Sequence, residues 1–193
     1  MTQKSSKREQ MRSRQRRQKK IQGILLWGGL GLVVLAIVGL NVWQAARPSV
    51  GEAVPVTGAN HVAIDSDPGT YNSNPPTSGQ HYPQTLDVGF YETNNYKYPQ
   101  AYLLHNMEHG YVIFWYNCAS LSASACSELK AQIKAVMDKV NNIKVIAYPW
   151  DSIDVPVAMT SWGRLLKMKT FDAAQALAFY KANLNKAPEP DAP

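Results

Sequence analysis

The stretch Gly110-Tyr111-Val112-Ile113-Phe114-Trp115-Tyr116 decides the fold of this 193-residue chain. It combines β-branched and aromatic residues without a charge, which predicts a buried strand. A helix is predicted next, because Ser122 or Ser124 can cap a segment that runs to about Val140. The apolar positions of that segment recur at the spacing of one helix face: Leu129, Ile133, Val136, Met137 and Val140.

Two further strands and a second helix are predicted after this unit, over residues 144–148, 155–162 and 171–184. A strand–helix–strand unit implies a parallel pair with a right-handed crossover, and the third strand can return as a hairpin. The order β-α-β-β-α therefore predicts an α+β domain in which both helices cover one face of a mixed sheet. The same order matches the second half of a thioredoxin-like fold.

A long irregular segment precedes this domain core. Residues 61–100 are rich in Pro, Gly, Asn, Ser and Tyr and show little periodicity. Their tyrosines argue against disorder, since disordered segments are poor in aromatic residues. A structureless loop of this length in a small domain is usually functional, so we expect an ordered loop that carries a site.

All four histidines lie in or beside this irregular segment, between His61 and His109. The sequence predicts an extended segment before the strand, and there His105, Met107 and His109 would share one face. Imidazole and thioether ligands suit copper, above all copper(I), while imidazole alone also suits zinc. We therefore expect a metal site of His105, His109, Met107 and His81, with copper favoured, zinc as the alternative metal, and His61 second to His81 as the third imidazole.

Two other interpretations of the histidine cluster remain open. In one, the histidines satisfy buried backbone groups, and the domain has a structural or interaction role in a membrane or cell-envelope complex. In the other, His105-Asn106-Met107-Glu108-His109 matches the inverted zinc-protease pattern H-x-x-E-H, with Glu108 as general base. That pattern needs a sizeable helix, whereas a strand is predicted from Gly110, so hydrolysis ranks below metal binding and enzymatic activity stays open.

Three blocks of sequence resemble a known family. They are residues 71–79 followed by His81, residues 105–110, and residues 158–164. In this order they resemble a bacterial family of small, membrane-anchored, extracytoplasmic domains of unknown function, DUF3105, over roughly residues 50–185. The resemblance implies a membrane anchor and an exported domain but no activity. Gln80 departs from the pattern, in which Pro is expected between Gly79 and His81.

The N-terminal region predicts a single membrane crossing. Residues 24–42 form an uncharged apolar run long enough to nearly span a ~30 Å hydrocarbon core. A cleaved signal peptide is the alternative, but no small-residue cleavage site follows the run. Residues 1–20 hold nine Lys or Arg and one acid, so the positive-inside rule places them in the cytoplasm and the C-terminal domain outside.

Charge and cysteine content complete these expectations. The net charge of +6 comes from the basic end, since residues 48–193 hold ten Lys or Arg and thirteen acids. The expected partner is therefore the lipid bilayer, with a second membrane protein as a further candidate, rather than nucleic acid. Cys118 and Cys126 are expected to pair in an oxidising compartment.

The resulting domain organisation has five parts. It comprises a disordered basic tail over residues 1–20, a transmembrane helix over 21–43, a linker over 44–60, the α+β domain over 61–185, and a flexible tail over 186–193.

Overall fold

A computed structural model of the chain describes residues 3–46 and 50–192. Internal contacts divide the chain into two units, Met1–Arg47 and Pro48–Pro193. The first unit is one helix, α1 (Gln3–Ala46), which includes the basic segment that was expected to be disordered. Lys, Arg and Gln have good helix propensity, so they can extend a helix that begins in the apolar run.

Helix α1 contains the apolar segment expected from the sequence. Residues Arg16–Gly39 are long and apolar enough to cross a membrane. These properties are typical of a membrane-spanning helix and of a signal sequence alike.

The second unit is built on one mixed sheet of six strands in the order β1-β6-β5-β3-β4-β2. Strand β4 pairs in parallel with β3 on one side and with β2 on the other, and the remaining pairs of the sheet are antiparallel. In chain order the elements of this unit are β1 (Glu52–Ala53), β2 (Gly89–Phe90), α2 (Pro99–Glu108), β3 (Val112–Tyr116), α3 (Ala123–Lys139), β4 (Val145–Pro149), β5 (Val157–Ser161), β6 (Arg164–Met168) and α4 (Ala173–Asn183).

The predicted parallel pair is confirmed, because β3 pairs with β4 across the α3 crossover. Two details of the sheet differ from the prediction. Strand β5 lies on the other side of β3 instead of forming a hairpin with β4, and it turns through Trp162 and Gly163 into β6, which was not predicted. Gly163 has φ +66 at the second position of this turn, a conformation that glycine adopts without steric cost. The resemblance of this order to a thioredoxin-like fold stays a prediction.

The alternation of side chains along β3 divides the core into two clusters. Val112, Phe114 and Tyr116 face one side, where they pack with the apolar residues of α3 and α4. Ile113 and Trp115 face the other side, against α2 and the irregular segment. Both later helices thus cover one face as predicted, and an unpredicted helix covers the opposite face.

The two later helices have side-chain caps at their N-termini. The Ser122 hydroxyl accepts a hydrogen bond from the Ala125 N–H, so Ser122 rather than Ser124 caps α3. The Asp172 carboxylate accepts from the N–H groups of Ala174 and Gln175 at the start of α4. The expected disulfide between Cys118 and Cys126 is present and closes the loop that leads from β3 into α3.

The extended conformation predicted for residues 104–109 is wrong, because these residues belong to the last turns of α2 and to its C-cap, His109. Gly110 ends the helix instead of starting the strand. With φ +85, it donates its N–H to the Met107 carbonyl, while the Tyr111 N–H reaches the Asn106 carbonyl. This is the helix-ending arrangement that glycine favours.

The expected linker and C-terminal tail both contribute to the second unit. Strand β1, inside the predicted linker, pairs with β6 at the sheet edge. The Asn183 amide donates to the Val50 carbonyl, over 2.8 Å. At the other end of the chain, the Asn185 N–H donates to the Gly110 carbonyl and the Glu189 N–H donates to the Glu108 carbonyl, each over 3.0 Å. The last residues therefore contact the end of α2.

Candidate metal centre

The last turn of α2 presents the chemistry-bearing side chains of the domain. His105, Glu108 and His109 stand at i, i+3 and i+4, a spacing that places side chains on one helix face. Met107 lies between them in sequence but is fully buried in the cluster formed with Leu103, Leu104 and Trp115. Met107 would share a face with His105 and His109 only in an extended chain, so the helix separates its side chain from the histidines.

Two segments of the irregular region bring His61 and His81 to this turn. They form an isolated parallel bridge in which the Val62 N–H donates to the His81 carbonyl and the His81 N–H donates to the Asn60 carbonyl. The His61 ring lies 4.8 Å from the His81 ring and 4.8 Å from the His105 ring, measured between centroids. The His81 and His105 rings are 5.4 Å apart.

His81 is fully buried and both of its ring nitrogens have partners. Nδ1 lies 2.8 Å from the Gly79 carbonyl oxygen, which can only accept, so Nδ1 carries a proton. Nε2 lies 2.9 Å from Oε2 of Glu108, within hydrogen-bond distance. This carbonyl contact fixes the ring and directs Nε2 at the cluster, as the outer partners of metal-bound histidines do.

Three side chains offer ligand atoms within 4.8 Å of one another: His61, His105 and Glu108. The Nε2 of His61 is 3.6 Å from Oε2 of Glu108. His105 is buried, and its Nδ1 has no hydrogen-bond partner among the described residues. Burial, together with the imidazoles of His109, His81 and His61, lowers the pKa of His105 to about 4 although Glu108 opposes the shift. His105 is therefore neutral near pH 7.

His109 occupies the outer side of the cluster. Its ring packs edge-on against His105 with 4.5 Å between centroids, and its Nε2 is 3.8 Å from Oε2 of Glu189. The structure thus brings together all four histidines, including the predicted His81, His105 and His109. The closest set of ligand atoms, however, contains His61 in place of His81 and His109.

Glu108 belongs to the site but was not among the ligands predicted from the sequence. The helical spacing H-x-x-E would have indicated that it shares a face with His105, had the segment been recognised as a helix. Imidazole nitrogen and carboxylate oxygen together are ligands that zinc and copper(II) accept. A small domain with such a histidine–carboxylate cluster can hold a metal ion, or can use the same groups as a buried hydrogen-bonded network.

The fold and the cluster define a small α+β domain with a candidate histidine–carboxylate metal centre, preceded by a helix that can cross a membrane. The chain belongs to the family described as "Protein of unknown function (DUF3105)", which matches residues 61–193. The resemblance noted in the sequence is thereby confirmed at the level of the family. No curated protein and no solved structure matches the chain.

Proposed function

We propose that this protein is a membrane-tethered domain that binds one transition-metal ion through His61, His105 and Glu108, with His81 as a fourth contributor. One observation carries the proposal: the buried Nδ1 of His105 has no hydrogen-bond partner within the described part of the chain, yet it belongs to a ring surrounded by imidazoles and a carboxylate. Leaving a buried polar atom unpaired costs about 1–3 kcal/mol, and a bound metal ion would remove this cost.

The donor set now favours zinc or copper(II) over copper(I). The preference for copper rested on the soft sulfur of Met107, which packs in the apolar core away from the cluster. Neutral imidazoles and a carboxylate are harder donors, which suit the divalent ions. His109 remains a candidate ligand, because its ring contacts His105.

Membrane tethering is supported by α1, and its direction by the charge distribution. Nine basic residues within residues 1–20 precede the apolar segment, which the positive-inside rule assigns to the cytoplasmic side. The disulfide supports export of the second unit, since disulfides persist in oxidising compartments. A phosphatase that works only outside the cytoplasm should be active when it is fused after residue 193. Activity of a reporter that works only inside the cytoplasm, fused at the same position, would contradict the orientation.

Metal loading of the full chain in detergent tests the binding proposal. The purified protein is stripped with EDTA, reloaded with Zn²⁺ or Cu²⁺, desalted and measured by elemental analysis. The parent should retain about one ion per chain, whereas His105→Ala should lose it and Glu108→Gln should bind at least about tenfold more weakly. Glu189→Gln is the matched control, because it removes a neighbouring carboxylate that lies outside the set of three.

A spectroscopic measurement on the parent protein keeps the test decisive if a variant fails to fold. Cu²⁺ bound to imidazoles shows nitrogen hyperfine coupling in its electron paramagnetic resonance spectrum. Retention of the same metal by a folded His105→Ala variant, or copper bound to the parent without nitrogen coupling, would refute the proposal.

A structural role is the second candidate, favoured by the hydrogen bonds of His81. Its two ring nitrogens are satisfied by Gly79 and Glu108, so this pair can hold the irregular segment on α2 without any ion. If this is the whole role, the parent retains no metal and His81→Ala lowers stability equally with and without added Zn²⁺. Hydrolysis by Glu108 has less support, because its carboxylate already contacts His81 and α2 ends at that residue.

A further inference from the structure

We infer that Cys118 and Cys126 form a redox-active disulfide that exchanges with the thiols of a dithiol protein. Cys118 follows β3 by two residues and Cys126 is the fourth residue of α3. The bond therefore lies at the carboxyl ends of the parallel strands β3 and β4. Ligands and reactive groups of α/β sheets commonly occupy this edge. The histidine cluster lies at the opposite end of β3, so this inference is independent of the metal proposal.

Both sulfur-bearing residues are accessible from cavities. Cys118 and Cys126 are only partly buried. Cys118 lines a cavity of about 490 Å³ together with Tyr116, Trp150 and Asp151. Cys126 lines a second cavity of about 520 Å³ next to Lys130 and Lys134. Thiol–disulfide exchange requires a thiolate to reach one of the two sulfur atoms, and each bonded cysteine borders a cavity from which a thiolate could approach.

The surroundings of Cys126 carry excess positive charge. Lys130 and Lys134 both bind Glu92, with N–O distances of 2.7 and 2.8 Å, which leaves one positive charge uncompensated. Cys126 also lies in the first turns of α3, where backbone N–H groups and the helix dipole favour an anion. Reactive cysteines occur in electropositive, partly exposed places of this kind, whereas inert ones are enclosed.

These features assign the order of the exchange. The thiolate of the partner attacks the sulfur of Cys118, the bond between the two cysteines breaks, and the electron pair leaves on the sulfur of Cys126. The second thiol of the partner, as thiolate, then attacks the partner sulfur in the mixed disulfide and releases Cys118. The partner gains a disulfide and loses two protons, while Cys118 and Cys126 become two thiols. The reverse sequence oxidises this protein and reduces the partner.

Equilibration with glutathione tests the inference on the unmodified full chain in detergent. The protein is incubated with defined ratios of reduced to oxidised glutathione, quenched with acid and alkylated with a mass tag. We expect the disulfide to be reduced by glutathione while the far-ultraviolet circular dichroism spectrum stays native. A disulfide that stays oxidised until denaturant is added, or whose reduction unfolds the domain, would show a purely structural bond and overturn the inference.

Single-cysteine variants test the assigned leaving group. Cys118→Ser leaves the thiol of Cys126, and Cys126→Ser leaves the thiol of Cys118. At pH 7 iodoacetamide should alkylate Cys126 at least about tenfold faster than Cys118, because Cys126 lies in the first turns of α3 beside both lysines, whereas the cavity at Cys118 holds Lys130 together with Glu92 and Asp151. Equal rates in two folded variants would refute the assignment. If either variant does not fold, the glutathione equilibrium of the parent still decides whether the bond is redox-active.

Discussion

The two faces of the sheet are covered in contrasting ways. One face packs against α3 and α4, whose apolar residues recur with helical periodicity and bury aliphatic side chains such as Ile133 and Val136. The other face packs against α2 and the irregular segment, in a cluster that contains seven tyrosines and three tryptophans, whereas the first cluster contains two tyrosines and no tryptophan among the described residues. There the buried Asn106 side chain is held by hydrogen bonds to both backbone groups of Leu86. The periodic face supplies stability, and the irregular face supplies stability together with the histidine cluster.

The largest effect is expected from matched core deletions on the two faces. Ile133 on α3 and Leu104 on α2 are both fully buried. Replacing either with Ala should lower the free energy of unfolding by about 2–5 kcal/mol, measured by urea denaturation. Only Leu104→Ala should also weaken metal binding, because Leu104 supports the helix that bears His105 and Glu108. Equal metal affinities in the two folded variants would break the distinction between the faces.

The next effect concerns the attachment of the irregular segment to α2. The Asn106 side chain accepts from the Leu86 N–H and donates to the Leu86 carbonyl, each over 2.9 Å. Asn106→Ala leaves both backbone groups buried and unpaired, so it should destabilise the domain by about 2–3 kcal/mol. Hydrogen exchange should accelerate in residues 82–90 before it does in α3. A uniform change over the domain would mean that the two faces unfold as one unit.

A smaller effect is expected at the N-terminus of α3. Ser122→Ala removes the hydroxyl that accepts from the Ala125 N–H and should cost about 1 kcal/mol. Ser124→Ala is the matched control, because the Ser124 hydroxyl contacts only that of Ser122 among the described hydrogen bonds. Thermal unfolding should separate the two variants. A loss as large for Ser124→Ala would contradict the assigned cap.

The smallest effect belongs to the exposed ion pairs at the edge of α3. Hydrogen bonds from Lys130 and Lys134 lower the pKa of Glu92. A lowered pKa in the folded state means that this stabilisation is present at pH values above the ordinary carboxyl pKa and is lost as pH falls through the lowered value. Since Glu92 is half exposed, Glu92→Gln should cost less than about 1 kcal/mol at pH 7. The difference should vanish in 1 M salt or in acid, and a difference that persists in both would exclude an ionic origin.

The comparison of the faces also explains what could be predicted from the sequence. The parallel pair β3 and β4, both later helices and the disulfide follow local rules of periodicity, capping and pairing, and these predictions are confirmed. Helix α2 was missed because Gly110 is equally compatible with the start of a strand and the end of a helix, and only the hydrogen bonds to Met107 and Asn106 decide between them.

The candidate site was predicted only in part for the same reason. Its histidines were identified, since imidazoles clustered in an irregular segment are candidate metal ligands by residue type alone. Their partners depend on the register between segments distant in sequence, such as the bridge that joins His61 to His81. A sequence pattern carries no measure of that register, so Glu108 was assigned a different role and Met107 was placed beside the histidines.

The contacts at the end of α2 have a consequence for the timing of biosynthesis. The carbonyl of Glu108 is bonded by the Glu189 N–H, and the Lys144 ammonium donates both to the His109 carbonyl, over 2.9 Å, and to the Pro190 carbonyl, over 2.7 Å. A nascent chain that has been made only as far as α4 lacks the residues that complete this helix terminus. The histidine-bearing turn is therefore finished only after residues 185–190 have emerged from the ribosome.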